Sequence, residues 1–129
     1  AKIYIIPTKT YTRAATAYSN RRSTVLDGKE HLYGYSGIWL RYGTCAVDKN
    51  VIPIGTVLYI EGYGYAVAAD IGASIRGNKI DLFFNSYYDA CRWGLRNVKV
   101  HVLPITRTDL YTKLGDSQRA VVKTLYTGE

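Results

Sequence analysis

The chain has 129 residues, a net charge of +7, two Cys, two His, and 13 Tyr against two Phe and two Trp. That length suits one domain with a core of its own, no apolar run is long enough to cross a bilayer, and no internal repeat or low-complexity block interrupts it. Cys45 and Cys91 are too distant for a CxxC motif and two His are too few for a Cys/His site, so neither a metal nor a cofactor is expected.

The elements read in chain order. Lys2 to Ile6 (KIYII) is strand-like and stops at Pro7. Thr10 to Tyr18 reads as a second strand with partial alternation. Ser19 to Leu40 has no clear period and carries turn signals at Asp27-Gly28 and at Tyr33-Gly34-Tyr35-Ser36-Gly37. Such a long irregular stretch in a small domain points to function, as one wall of a groove. Tyr42 to Asp48 leads into a turn at Lys49-Asn50. Pro53 and Gly55 set a rigid entry to the strand Thr56–Glu61. Gly62 and Gly64 mark a tight turn, and Tyr65 to Asp70 is the return strand.

Asp81 opens another strand before Leu82, Phe83 and Phe84. Ser86-Tyr87-Tyr88-Asp89 fits a helix cap, with a short helix to Trp93 and Gly94 at its end. Asn97 to Leu103 alternates, with Val98, Val100 and Val102 on one face and Lys99 and His101 on the other; His101 is expected on an exposed strand position. Asp116 to Tyr126 is predicted to be a helix. The division is a barrel over residues 1–104 and a helical extension over 105–129 docked on it. Short strands, Gly-rich turns and few helices make the fold class mainly β, a compact barrel.

The stretch Tyr63 to Phe84 (YGYAVAADIGASIRGNKIDLFF) holds the chemistry. Asp70 and Asp81 each follow an apolar residue on what reads as a buried strand. A carboxylate there is costly to keep charged unless paired or hydrogen-bonded. Two of them across a glycine-rich turn suggest a sugar-cleaving cleft. Bland readings stand beside this one. Asp48 suits a turn, Asp70 suits holding the N–H groups of the turn that follows, and only Asp81 is disfavoured by strand propensity. The Tyr excess suits sugar stacking or simply strand propensity. The cysteines leave one disulfide or two buried thiols open.

The basic balance suits attraction to a polyanion, such as anionic cell-wall polymers. Arg21–Arg22 is the only adjacent basic pair. With no basic helix, zinc spacing or RNP-like strand, nucleic acid is not expected as a partner. The chain opens on Ala1 and displays neither a targeting signal nor its removal; its oligomeric state is not readable.

An ordered set of motifs carries a resemblance. Ala46-Val47-Asp48, Val51-Ile52-Pro53-Ile54-Gly55-Thr56, Gly62-Tyr63-Gly64, Ala68-Ala69-Asp70 and Gly72 come first. Ile75-Arg76-Gly77-Asn78-Lys79-Ile80-Asp81, Leu82-Phe83-Phe84, Ala90-x-x-Trp93-Gly94 and Val98-Lys99-Val100 follow. Over about Thr12 to Leu103 the chain resembles the three-aspartate (3D) domain of stationary-phase survival proteins, similar to the catalytic barrel of membrane-bound lytic transglycosylase A. The resemblance implies a six-stranded double-psi β-barrel with one or two short helices. It implies a secreted or wall-associated enzyme that cleaves the MurNAc-β-1,4-GlcNAc bond of peptidoglycan glycan strands to 1,6-anhydro-MurNAc, without metal. Asp81 matches the catalytic acid, Asp70 its supporting carboxylate and Asp48 the third aspartate. Thr16, Tyr18, Tyr35, Ser36, Gly72 and Lys79 are the expected substrate-binding residues. The chain departs from the family pattern at Ala73, Ser74 and Arg76; Ala73 requires a turn without positive φ at that position. The alternative function is a glycan-binding barrel of expansin-like type that does not cut.

Overall fold

The computed structural model describes residues 3–19, 33–110 and 120–122. Six strands close into a double-psi barrel: β2 (Lys9–Tyr18), β3 (Thr44–Ala46), β4 (Val57–Ile60), β5 (Gly64–Asp70), β6 (Lys79–Phe83) and β7 (Arg96–Leu103), in the spatial order β2-β6-β3-β5-β4-β7. Two neighbouring pairs, β2·β6 and β3·β5, are parallel, and the others are antiparallel. Closure leaves these strands without a free edge.

Alternation decides what fills the interior. Ala15, Cys45, Ala66 and Ala68 meet Leu58, Ile60, Ile80, Leu82 and Val100, so small and large side chains share a narrow lumen. Val98 and Val102 pack against the same cluster, on the face the sequence assigned them. Helix α1 (Tyr87–Trp93) starts at Ser86, whose Oγ accepts from Asp89 N–H at 3.1 Å, and ends at Gly94 with φ of 66°. Trp93 seals one end of the barrel and donates its Nε1–H to Ala15 O at 2.9 Å.

The strand read over Lys2–Ile6 is β1 (Ile3–Ile5), but it stands outside the barrel. It pairs in parallel with β8 (Ala120–Val122). Ala120–Val122 therefore corrects part of the helix predicted over 116–126: two adjacent β-branched residues favour a strand once β1 offers an open edge. The rest of that segment lies outside the described residues, as do Arg21–Arg22, Asp27-Gly28 and His31. Between barrel and tail lies a single helical turn, α2 (Arg107–Asp109), capped by Thr106.

His101 is also a correction. It is buried, not exposed. Ile5, Leu103 and Leu110 form a second apolar cluster with Tyr59 and Tyr65 that covers the outer face of the barrel at this end. Under that cover His101 satisfies both ring nitrogens, with Thr10 Oγ1 and Glu61 Oε2 each at 2.9 Å. No helix among the described residues is long and apolar enough to cross a membrane.

Candidate functional site

Asp70 and Asp81 fall into one row across four strands. Thr16 on β2 is the register partner of Asp81 on β6, and Asp81 is the partner of Ala46 on β3. Ala46 is in turn the partner of Asp70 on β5. Residues in register point to the same side of a sheet, and Ile80 and Leu82, flanking Asp81, are core. The row therefore lies on the outer face of the barrel.

A register shift puts Asp70 in that row. Cys45 pairs with Ala68, but the ladder slips between Cys45 and Ala46, so Ala46 faces Asp70 and skips Ala69. Such a bulge re-aims a side chain at a strand end. Asp70 and Asp81 stand one on each side of Ala46, two strand spacings apart, roughly 9–10 Å between backbones. Ala46 between them is small and itself buried, at 2% exposure.

Asp81 is half-buried, and its Oδ1 accepts from Thr16 Oγ1 at 2.8 Å. Its carboxyl is held above the ordinary carboxylate range. Burial is the main cause, the Thr16 hydrogen bond opposes it, and the Asp70 charge adds to it. Asp70 is gripped on both oxygens. Oδ2 accepts from the Tyr18 hydroxyl at 3.2 Å, and Oδ1 from Tyr35 N–H at 2.9 Å. Burial first, then the Asp70 charge, pushes the Tyr18 phenol far above its usual value, so it stays a proton donor to Asp70.

Residues 33–40, the described end of the loop read as a groove wall, lie against the end of β5. Ser36 Oγ donates to Ala69 O at 2.7 Å, and Ser36 N–H reaches the same carbonyl at 3.2 Å. Gly34 permits this approach, since a Cβ there would sit 2.6 Å from Ala69 O and 3.0 Å from Asp70 Cβ. On the other side of the row, Thr16 and Tyr18 line a cleft of about 600 Å³ with Tyr87, Ala90 and Cys91 of the α1 segment.

Asp48 stands apart from the row. Its Oδ2 accepts from Gly77 N–H at 2.9 Å and its Oδ1 from Asn50 N–H at 3.0 Å. These two bonds, in that order, lower its carboxyl pKa. Asp48 thus ties the 48–50 turn to the end of the glycine-rich turn between Asp70 and Asp81. Gly72 lies in that turn and, with Asp48, Lys49 and Arg76, lines a pocket of about 390 Å³. Ala73 meets the condition set by the sequence, because no described residue other than glycine has positive φ. Lys79 is exposed at the start of β6, two residues before Asp81 and on the same face.

Residues 43–104 match the 3D domain family. The chain carries a 3D domain. Two curated Bacillus subtilis (strain 168) relatives share sequence with it. The cell wall-binding protein YocH is 59% identical over 58 residues, covering 45% of this chain and 20% of YocH. The SPbeta prophage-derived uncharacterized protein YorM is 35% identical over 98 residues, covering 71% of this chain and 41% of YorM. The chain thus spans less than half the length of either relative. Among solved structures, Escherichia coli MltA, described as having a unique lytic transglycosylase fold, superposes with a TM-score of 0.50 at 25% identity, over 61% of this chain and 29% of MltA.

The structure of the 3D domain adds residues that sequence reasoning missed. Tyr63 is buried, stacks on Tyr42 with ring centroids 4.2 Å apart, accepts from Gly43 N–H at 2.7 Å and donates to Phe83 O at 2.6 Å. It pins the start of β3 to the end of β6, the two strands that hold Ala46 and Asp81. Its place between Gly62 and Gly64 was the only signal. The cysteines fit neither expected state: both are free, Cys45 buried and Cys91 exposed. The Cys45 thiol is pushed up to about 12 by burial, then by Asp81 and Asp70.

Proposed function

We propose that this 3D domain is a lytic transglycosylase acting on peptidoglycan glycan strands at the cell wall. The observation that carries the reading is Asp81, a half-buried carboxyl with a raised pKa, set in one row with a second carboxylate on the far side of Ala46. A carboxyl protonated nearer neutrality can serve as a general acid.

In the proposed reaction Asp81 gives its proton to the glycosidic oxygen as the bond from the muramic C1 breaks. The Asp81 carboxylate then takes the proton of the muramic C6 hydroxyl as that oxygen bonds to C1. The product is a 1,6-anhydro ring, and no water is consumed. Asp70, oriented by Tyr18 and by Tyr35 N–H, stabilises positive charge developing at C1. Thr16 orients Asp81, and Ser36 holds the loop wall. Lys79 and the turn at Gly72 contact the flanking substrate, and Asp48 keeps the turn in shape. The net charge of +7 favours residence on anionic wall polymers.

Mass spectrometry of purified sacculi digested with the wild-type chain and with Asp81→Asn tests this. Release of 1,6-anhydro-muropeptides by the wild type and its loss in the variant is expected. Wild-type release by Asp81→Asn would refute the assignment. A second reading, glycan binding without cleavage, draws on the printed name of YocH; it predicts retention on sacculi and no anhydro product from either protein.

A further inference from the structure

The segment from Tyr33 to Trp39 is a tight hairpin with two unlike faces. Gly34 N–H donates to Ile38 O at 3.0 Å, Gly37 N–H donates to Gly34 O at 2.9 Å, and Tyr33 bridges to Trp39 in antiparallel fashion. Alternation puts Gly34 and Ile38 on one face and Tyr33 and Trp39 on the other. The first face docks: Ile38 packs against the cluster of Leu40, Ala69 and Phe83, and Gly34 lies flush on Ala69 and Asp70. The second carries large aromatic rings in solvent. Tyr33 is 62% exposed and Trp39 40%, with Tyr35 at the tip at 60%.

Docking engages the inner face of the hairpin and leaves Tyr33, Tyr35 and part of Trp39 open to solvent. Backbone pairing sets where Tyr33 and Trp39 stand. Cross-strand partners hold their Cβ atoms about 4.5–5.5 Å apart, which makes Tyr33 and Trp39 neighbours. The Arg41 guanidinium lies 4.9 Å from the centre of the Trp39 ring and donates to Trp39 O at 3.2 Å. Rings already held in place lose little freedom on binding.

We propose that Tyr33 and Trp39 form a stacking platform for pyranose rings of a β-1,4-linked N-acetylhexosamine chain that runs on to the Asp81–Asp70 row. This rests on the glycan-directed reading above and adds where the chain is held. The platform is continuous with the row, because the Tyr35 N–H of the same hairpin bonds Asp70 Oδ1 at 2.9 Å. A pyranose offers an apolar C–H face, which matches the electron-rich face of an aromatic ring, and a polar rim, which suits solvent. A few rings on one hairpin fall far short of the roughly 800 Å² per partner of a stable protein interface.

The chain has two tryptophans, and the other, Trp93, is only 5% exposed with its Nε1–H bonded to Ala15 O. Fluorescence quenching and N-bromosuccinimide oxidation therefore report on Trp39 first. The test titrates a β-1,4-linked N-acetylglucosamine tetramer into the full chain, into Trp39→Ala and Tyr33→Ala, and into Asp81→Asn. The tetramer is expected to protect one tryptophan of the wild type from oxidation. Trp39→Ala and Tyr33→Ala, followed calorimetrically, are expected to weaken binding by about tenfold each. Asp81→Asn is expected to keep the affinity, so loss of the catalytic reading leaves the platform standing. Wild-type affinity in both aromatic variants overturns the proposal, as does failure of the wild type to bind the tetramer. A change in sedimentation of the aromatic variants without a change in tetramer affinity assigns the rings to a protein contact and also overturns it. Circular dichroism of each variant separates lost binding from lost folding.

Discussion

Thr16 Oγ1 lies 2.8 Å from Asp81 Oδ1, and this bond opposes the other two influences on that carboxyl. Burial and the Asp70 charge favour the protonated form; the Thr16 hydroxyl favours the charged form. Thr16→Val is therefore expected to raise the Asp81 pKa further, and Asp70→Asn to lower it. If Asp81 must be protonated to act, the alkaline limb of the activity profile moves up in pH in the first variant and down in the second. Carboxyl-carbon NMR of Asp81 in both variants checks the same shifts without turnover. Shifts in one common direction defeat the account.

The raised pKa of Asp81 also has a cost in stability. A carboxyl whose folded pKa exceeds its unfolded value binds more protons when folded, so stability falls as pH rises through the interval between the two values. Below the unfolded value, about 3.9, both states are protonated and the penalty vanishes. Asp81→Asn removes the charge and keeps a partner for Thr16. Its melting temperature is expected to exceed that of the wild type at neutral pH, and the difference to close in acid. Equal melting temperatures at neutral pH contradict the raised pKa.

The row was only partly legible in the sequence. Asp70 and Asp81 stood out because charged residues beside Ala-Ala and Leu-Phe-Phe conflict with strand burial, and that conflict marks a site. Their pairing across Ala46 was not legible, since it depends on a one-residue slip between β3 and β5 that no local pattern encodes. The same limit explains His101. Alternation along β7 separated Val100 from His101, but only tertiary packing, with Thr10, Glu61 and the Tyr59 ring around the imidazole, decided that His101 is buried as well. Ser86 and Gly94 were legible because helix caps are local. Tyr35 was named as a substrate-binding residue through the family resemblance, whereas its backbone N–H is what reaches Asp70.

Cys91 gives a chemical handle on the cleft beside the row. It is exposed and lines the same space as Thr16 and Tyr18, whereas Cys45 is buried with its thiol pushed up to about 12. The thiolate is the reactive form, so Ellman's reagent is expected to titrate one thiol in the native protein and both in denaturant. A bulky adduct on Cys91 fills part of the cleft and is expected to reduce turnover of sacculi, and Cys91→Ser is expected to be insensitive to the reagent. Rapid labelling of both thiols in the native state runs against the burial of Cys45.

Gly34 is the point at which the hairpin and the carboxylates are most tightly coupled. A Cβ there meets a backbone carbonyl at 2.6 Å and Asp70 Cβ at 3.0 Å, and neither can move aside as the end of a long side chain can. Gly34→Ala must therefore push the hairpin off β5. The Tyr35 N–H to Asp70 bond lengthens, and so does the Ser36 clamp on Ala69. Overpacking of this kind costs about 1–3 kcal/mol, a loss that chemical denaturation resolves. Asp70 then keeps only its Tyr18 partner, so activity is expected to fall further than the stability loss accounts for. Gly37→Ala serves as the comparison: its Cβ has open space around it, although φ there is 81°. It strains the hairpin turn without displacing Asp70, and is expected to lower stability while activity per folded molecule is kept. Equal activity per folded molecule in the two variants overturns the claim that the docked hairpin holds Asp70 in place.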